Sequence, residues 1–433
     1  MNIKIDTTLA DLLADAQARD TADPLAHFRD GFRFPQQNDG IDKLYFTGNS
    51  LGLQHESVEA AVNEVMESWR LRGVEGHFRG DRPWMTYHEL LRKGQADLLG
   101  AKPSEIVTAN TLSVNLHLAM VSFYQPSGKR CRILMERHAF PSDRYAVESQ
   151  IRLHGLNPAD CLVELAPESG QRLIEESSVE DYLAKQGDTV ALVLWPGVQY
   201  ATGQVFDLPR IAAAAQAAGA CTGFDLAHSA GNVPVTLHDS NCDFAVWCTY
   251  KYLNAGPGAV GGMFIHERHH RNSELPRLQG WYGNNLATRF RMAPEFDPAL
   301  GADAWVISNP PILAMAPLLA SLQVFAAAGM PQLRNKSKQL TGWLANAFEQ
   351  HLRQHLEIIT PAQADRRGCQ LSLRVKAGRE KGRHLFEYLE QSGVVPDWRE
   401  PDVIRVAPVP LYNRFEDGAR LVQLMHSWFA TQP

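Results

Sequence analysis

Asp225 and Lys251 are the residues of this chain whose types and spacing point most directly to chemistry. Asp225 closes the apolar run 220–225 and opens Asp225-Leu226-Ala227-His228. Lys251 follows the apolar run 244–248, within Thr249-Tyr250-Lys251-Tyr252, and precedes the glycine-rich stretch 256–262. A side chain at the end of a buried strand projects from the carboxyl edge of the sheet, where open α/β sheets bind ligands. A lysine there can form a Schiff base, and a carboxylate can keep a pyridine nitrogen protonated so that the ring accepts electrons. Together they suit a pyridoxal phosphate site. The glycines let backbone approach backbone. Taken singly, a strand-end Asp is an ordinary turn former and a Lys before a glycine turn an ordinary solvated side chain. The ordered pair is far more specific.

The elements that must position this pair alternate. Short apolar runs at 131–135, 161–165, 190–195, 220–225, 244–248 and 262–266 are separated by helical stretches such as 211–218. That alternation predicts an α/β domain with a mainly parallel mixed sheet covered by helices. Upstream, Leu9, Leu12, Leu13 and Ala16 form a helical stripe after a cap at Asp6 or Thr7, and 57–72 and 86–99 read as amphipathic helices. After Gly329 a polar helix at about 332–354 precedes strand-like segments at 370–375 and 403–406, with a helix near 382–392 between them. This predicts a smaller α+β domain. The expected organisation is therefore 1–45 as an N-terminal helix and arm, 46–316 as the large domain and 317–433 as the small one.

The 433 residues are 45% hydrophobic and 21% charged, values of an ordinary globular chain, which exclude disorder, collagen and coiled coil as whole-chain descriptions. Lys plus Arg number 42 against 48 Asp plus Glu, a formal charge of −6 that argues against a nucleic-acid binder. The start of the chain lacks a basic segment followed by an apolar run, and the six cysteines form no Cys-x-x-Cys pair, so a cytoplasmic protein with reduced thiols is expected. The uncharged stretch 310–330 contains Pro317, Ser321, Gln323 and many alanines; it reads as a buried helix from about Pro317 to Gly329, not a membrane span.

Ten segments in order resemble the kynureninase family, pyridoxal-phosphate hydrolases of the aminotransferase class V, fold type I superfamily. They include Gly48-Asn49-Ser50-Leu51-Gly52, Arg82-Pro83-Trp84, Thr111-Leu112-Ser113, Phe140-Pro141-Ser142-Asp143 and Tyr200-Ala201-Thr202-Gly203. Further on come the Asp225 and Lys251 motifs, Gly280-Trp281-Tyr282-Gly283, Ser308-Asn309-Pro310-Pro311 and Arg405-Val406-Ala407-Pro408. The resemblance implies that Lys251 is the Schiff-base lysine and proton shuttle. Asp225 would pair with the pyridinium nitrogen, with His228 beside it. Phe140 would stack on the ring and Asp143 would lie near its polar edge. The Leu112 backbone, Ser113 and Tyr250 would hold the phosphate. Trp281 and Asn309 would complete that site from the second subunit of a homodimer. Arg405 would clamp the substrate carboxylate bidentately, a task Lys performs poorly. Tyr250 would also serve the cleavage step as proton relay or oxyanion donor. The sequence departs from some members at Pro196, where they have Ser. The implied reaction is hydrolysis of L-kynurenine, or its 3-hydroxy form, to anthranilate or 3-hydroxyanthranilate plus L-alanine, through a ketimine and Cβ–Cγ cleavage. His77, Ser308 and Asn309 match members that favour 3-hydroxykynurenine, which points to tryptophan degradation and to quinolinate and NAD synthesis. Neither a nucleic acid nor a membrane is expected as a partner.

Two other patterns compete. His266-Glu267-Arg268-His269-His270 matches the H-E-x-x-H zinc motif, which needs a helix. Here it follows a strand-like run, and no metal is expected. Cys369, placed beyond the lysine as the nucleophile of cysteine desulfurases is, starts an apparent strand, where a buried Cys is ordinary. An aminotransferase shares the first half-reaction and differs in needing a keto acid.

Overall fold

The computed structural model describes residues 8–431. They fall into two compact units. One comprises Val58–Tyr200 and Phe206–Gln323; the other comprises the described residues up to Ser57, Ala201–Val205 and the residues from Val324 onward.

The larger unit is built on a seven-stranded sheet. Its spatial order is Ile106–Thr108, Gly261–Ile265, Phe244–Cys248, Cys221–Asp225, Val190–Pro196, Arg132–Glu136, Leu162–Leu165. The last five run parallel to one another; Gly261–Ile265 is antiparallel to both its neighbours. The five strands from Phe244–Cys248 to Arg132–Glu136 and Gly261–Ile265 are almost continuously buried, which is why they read as unbroken apolar runs instead of alternating ones. Ile106–Thr108 escaped the sequence reading because three residues are too short to show a period. A core including Met120, Phe123, Leu192, Phe244, Val246 and Trp305 packs this unit.

The smaller unit carries a four-stranded antiparallel sheet in the order Leu356–Ile358, Leu371–Val375, Val403–Val406, Asp397–Arg399. Helices Met330–His351, Arg379–Gln391 and Phe415–Thr431 contribute Leu344, Leu385 and Leu421 to its core. The N-terminal helix Leu9–Thr21 gives Leu12 and Ala16 to that same core, and Leu44–Tyr45 pairs with Val394–Val395. The arm expected at 1–45 is therefore part of the small unit, and its boundary moves to Ser57. Thr8 caps the helix through a capping box with Asp11; the expected caps Asp6 and Thr7 lie outside the described residues.

The uncharged stretch forms the helix Ile312–Ala328, beginning before Pro317, which sits inside it. Its residues Met315, Ala316, Leu318, Ala320 and Phe325 are buried in protein. The unit boundary falls within this helix, after Gln323, rather than at 316. Gly329, at φ +74°, breaks the chain before Met330–His351, and the two helices bend by 78°. No single helix among the described residues is long and apolar enough to cross a membrane.

Candidate active site

Because neighbouring strands are parallel, their carboxyl ends emerge at one edge. Glu136, Pro196 and Asp225 end three of them, and Lys251 lies three residues past the end of Phe244–Cys248. A cleft at this edge is lined by Ser113, Glu136, Phe140, Asp143, Asp225 and Lys251, together with Leu112, Trp195, Pro196, Tyr200, His228 and Tyr250. Its open space is about 660 Å³.

The Lys251 loop is tied down at both ends. Thr249 Oγ1 donates to the Val260 carbonyl at 2.5 Å, and Ala255 N–H donates to the Thr249 carbonyl at 3.0 Å. Gly256, at φ +85°, turns the chain; a Cβ there would meet nothing. Close approach is the task of Gly261, whose Cβ would lie 3.1 Å from Leu112 N, at the start of helix Leu112–Phe123. The glycines of this stretch therefore divide between turning and close approach.

Lys251 Nζ lies 3.1 Å from His228 Nε2, 5.8 Å from the Phe140 ring centroid and 5.9 Å from that of Tyr250. Asp225 Oδ1 accepts the Ala227 N–H at 2.6 Å, which fixes the carboxylate while it faces the cleft. Asp143, in the first turn of helix Pro141–Leu153, is pushed well above the usual carboxylate range, first by burial and then by the charge and hydrogen bonding of Asp225, while the Lys251 ammonium opposes the shift. Asp143 Oδ1 is buried without a hydrogen-bond partner. Glu136 is pushed up to about 8, by burial and by the Asp225 charge, although Gln199 Nε2 donates to its Oε1 at 3.3 Å. The Tyr250 phenol is also pushed up, mainly by burial and then by Cys248.

This arrangement fits pyridoxal phosphate. Buried carboxylates face a single lysine, so a cationic ring nitrogen is the missing partner, and the orphaned Asp143 oxygen needs a donor. The backbone N–H groups at the start of Leu112–Phe123, with Ser113 Oγ 2.9 Å from Ser142 Oγ, suit a phosphate. Phe140 is 42% exposed and meets Tyr200 edge to face at 5.4 Å, which leaves a ring face open for stacking.

The structure thus brings together Leu112, Ser113, Phe140, Asp143, Asp225, His228, Tyr250 and Lys251. His77, Trp281, Ser308 and Asn309 do not line this cleft within one chain. His77 ends the turn Gly73–His77, its Nδ1 3.1 Å from the Val74 carbonyl and its ring edge-on to Trp84. Trp281 is 38% exposed against Phe290 and Arg289, and Ser308 and Asn309 are exposed. Arg405 belongs to the small unit, wholly buried in the strand Val403–Val406, where it is paired with Asp397. Glu136, Ser142 and Tyr200 were not anticipated. The signal for Glu136 was present: like Asp225, it is a carboxylate closing an apolar run.

The competing patterns have structural explanations. His266 caps the turn Glu267–His269 by accepting the Arg268 N–H, and His270 Nε2 meets the Ile265 carbonyl, so no helix presents both histidines on one face. Glu105, His238 and His266 do gather within 4.8 Å. There the Glu105 carboxylate accepts the backbone N–H groups of Lys102 and Glu267, and the two imidazoles stack. Cys369 is 1% exposed, an ordinary core thiol.

The fold and the lysine–carboxylate cleft define a fold type I pyridoxal-phosphate enzyme. Solved structures agree on the fold: a C-DES variant with glycine covalently linked to the PLP cofactor has a TM-score of 0.75 at 18% identity, over 88% of this chain and 96% of that one. A cysteine desulfurase from Thermococcus onnurineus NA1 has a TM-score of 0.74 at 18% identity, over 90% and 95%. Residues 333–425 match the family described as the kynureninase C-terminal domain. Kynureninase from Xanthomonas euvesicatoria pv. vesicatoria (strain 85-10) is 57% identical over 424 residues, 98% of this chain and all of that protein. Kynureninase from Stenotrophomonas maltophilia (strain K279a) is 56% identical over 422 residues, 97% and 99% of the two chains. The chain belongs to the kynureninase family, pyridoxal-phosphate-dependent hydrolases that act on carbon–carbon bonds.

Proposed function

We propose that this protein hydrolyses L-kynurenine and L-3-hydroxykynurenine to anthranilate or 3-hydroxyanthranilate and L-alanine, with the hydroxylated substrate preferred. The observation that carries the reading is the convergence of Lys251, His228, Asp225 and Asp143 in one buried cleft of a kynureninase-family chain.

Bound pyridoxal phosphate supplies a ring that delocalises the electrons left when the substrate loses its Cα proton. The rest falls to side chains. Asp225, held by the Ala227 N–H, would keep a proton on the ring nitrogen, with Asp143 lining the same cleft beside it. Lys251 would hold the cofactor, and its free amine, with His228 at 3.1 Å to orient it, would move the proton at the substrate Cα. Phe140 would pack the ring face, and Ser113, the start of Leu112–Phe123 and Tyr250 would hold the phosphate. Tyr250, whose raised pKa keeps the phenol protonated, donates to the γ-oxygen as water adds there. Arg405, paired with Asp397, would take the substrate carboxylate through its guanidinium fork.

His77, Ser308 and Asn309 read the 3-hydroxyl, and with Trp281 they serve the site of a second copy in a homodimer. Exposed apolar side chains on the same unit support such a copy: Trp69 at 57%, Phe290 at 48% and Met66 at 45% exposure. Thiols that form no disulfide fit the reducing cytoplasm. The 3-hydroxy preference fits supply of 3-hydroxyanthranilate for quinolinate and NAD synthesis.

The test is incubation with each kynurenine while following cofactor absorbance and released alanine. Alanine formed without an added keto acid is expected, with the larger kcat/KM on 3-hydroxykynurenine. A requirement for a keto acid would identify transamination instead, and a kcat/KM ratio favouring kynurenine would overturn the hydroxyl-reading role.

A further inference from the structure

We infer that Cys131 and Cys161 form a reversible disulfide when the protein meets a peroxide. The two thiols sit at the starts of adjacent parallel strands: Cys131 directly precedes Arg132–Glu136, and Cys161 directly precedes Leu162–Leu165, which pair through Ile133 and Leu162. Their Sγ atoms are 3.3 Å apart, in van der Waals contact. Both backbones are fixed independently of the sulfurs. Cys131 N–H donates to the Thr189 carbonyl at 3.0 Å and its own carbonyl accepts the Tyr124 hydroxyl at 2.7 Å; Cys161 N–H closes a short helix onto the Asn157 carbonyl. The frame, not side-chain wandering, brings the sulfurs together. A bond of about 2.05 Å requires the sulfurs to close by roughly 1.3 Å.

The two thiols have different parts. Cys131 is partly exposed and meets the oxidant; Cys161 is buried behind it. Burial, then Cys131 itself, pushes the Cys161 thiol up to about 11, so it does not attack peroxide in competition. The Cys131 thiolate attacks one peroxide oxygen and the O–O bond breaks. This gives a sulfenic acid and, with a proton, one water. Cys161 sulfur then attacks the Cys131 sulfur, losing its proton as the S–O bond breaks and a second water leaves. Two thiols and one hydrogen peroxide become one disulfide and two waters. The remaining cysteines stay out: Cys242, Cys248 and Cys369 are buried, and the Cys221 thiol is pushed up to about 12 by burial. The bridge lies at the amino ends of the strands, away from the edge that carries Lys251, and closes a loop that contains Phe140, Ser142 and Asp143.

The test uses the holoenzyme, reduced, freed of reductant and treated with hydrogen peroxide, then digested without reduction for mass spectrometry. A Cys131–Cys161 linked peptide, loss of two thiols per chain and full recovery with dithiothreitol are expected. In Cys161→Ser, the Cys131 sulfenic acid should accumulate and be trapped by dimedone; in Cys131→Ser, Cys161 should stay reduced. Over-oxidation of Cys131 beside an intact Cys161 thiol in the unsubstituted protein, or oxidation of Cys161 in Cys131→Ser, overturns the inference. Should either variant fail to fold, the linked peptide of the unsubstituted protein still decides.

Discussion

Glu136→Gln isolates the cost of burying an acid in the cleft. Glu136 is 2% exposed, and its pKa is raised from 4.5 to about 8 by burial first, with Asp225 adding to the shift. A carboxyl with a raised folded-state pKa keeps its proton in the native state while the unfolded chain loses it. Between pH 4.5 and 8 the native state therefore binds one more proton than the unfolded state, and stability falls as pH rises. At about 1.4 kcal/mol per pH unit, the full window corresponds to a ceiling of about 5 kcal/mol. Gln is the neutral isostere, and its side-chain oxygen can still accept from Gln199 Nε2. The variant lacks the titration but keeps the hydrogen bond. Urea unfolding of both proteins at several pH values, each free of cofactor, should give stabilities that agree near pH 4.5 and diverge in the variant's favour towards pH 8. Taking the difference between the two proteins removes the contribution of titrating groups that do not interact with Glu136, and leaves that of Glu136 with its interacting neighbours Asp225 and Asp143. Parallel stability–pH curves would refute the reasoning, because Glu136 would then ionise alike in the folded and unfolded states.

Three further substitutions probe the rest of the site. Arg405→Lys should lower kcat/KM by roughly 10- to 100-fold in steady-state assays, since Lys cannot make the fork to the substrate carboxylate and leaves Asp397 with a weaker partner. Tyr250→Phe, assayed at saturating cofactor, should slow the cleavage step by about 100-fold or more in single-turnover kinetics; unchanged cleavage would leave Tyr250 no part in that step. Gly261→Ala places a Cβ 3.0 Å from the Thr111 carbonyl carbon and 3.1 Å from Leu112 N, so it should cost about 1–3 kcal/mol in denaturant unfolding and weaken cofactor affinity in spectrophotometric titration.

The parts of this site that were legible in the sequence share a physical cause. A strand buried on both faces is an apolar run, so a polar residue that ends it stands out, and its direction follows from the parallel sheet. That logic located Asp225 and, past the end of the next strand, Lys251. It applies equally to Glu136, whose run was recognised while its terminal carboxylate was not. What could not be read locally depends on long-range packing. The helix Leu9–Thr21 has an amphipathic stripe, but nothing in the stripe says that its partners are Leu421 and Met425, some 400 residues away in sequence. Pro317 looked like a helix start because Pro is favoured in a first turn, yet the buried helix continues through it from Ile312, as tertiary burial of Met315, Ala316 and Leu318 outweighs the lost hydrogen bond. The glycine-rich stretch 256–262 carries the same lesson in small. The sequence marks all four glycines alike. Gly256 turns the chain in open space, whereas Gly261 lets a strand meet the start of Leu112–Phe123, and that difference exists only once residue 261 and residue 112 have been folded together. Legibility in this chain therefore follows sequence distance. Chemistry that sits at the end of its own strand can be read directly, and chemistry that depends on packing against a segment remote in sequence cannot.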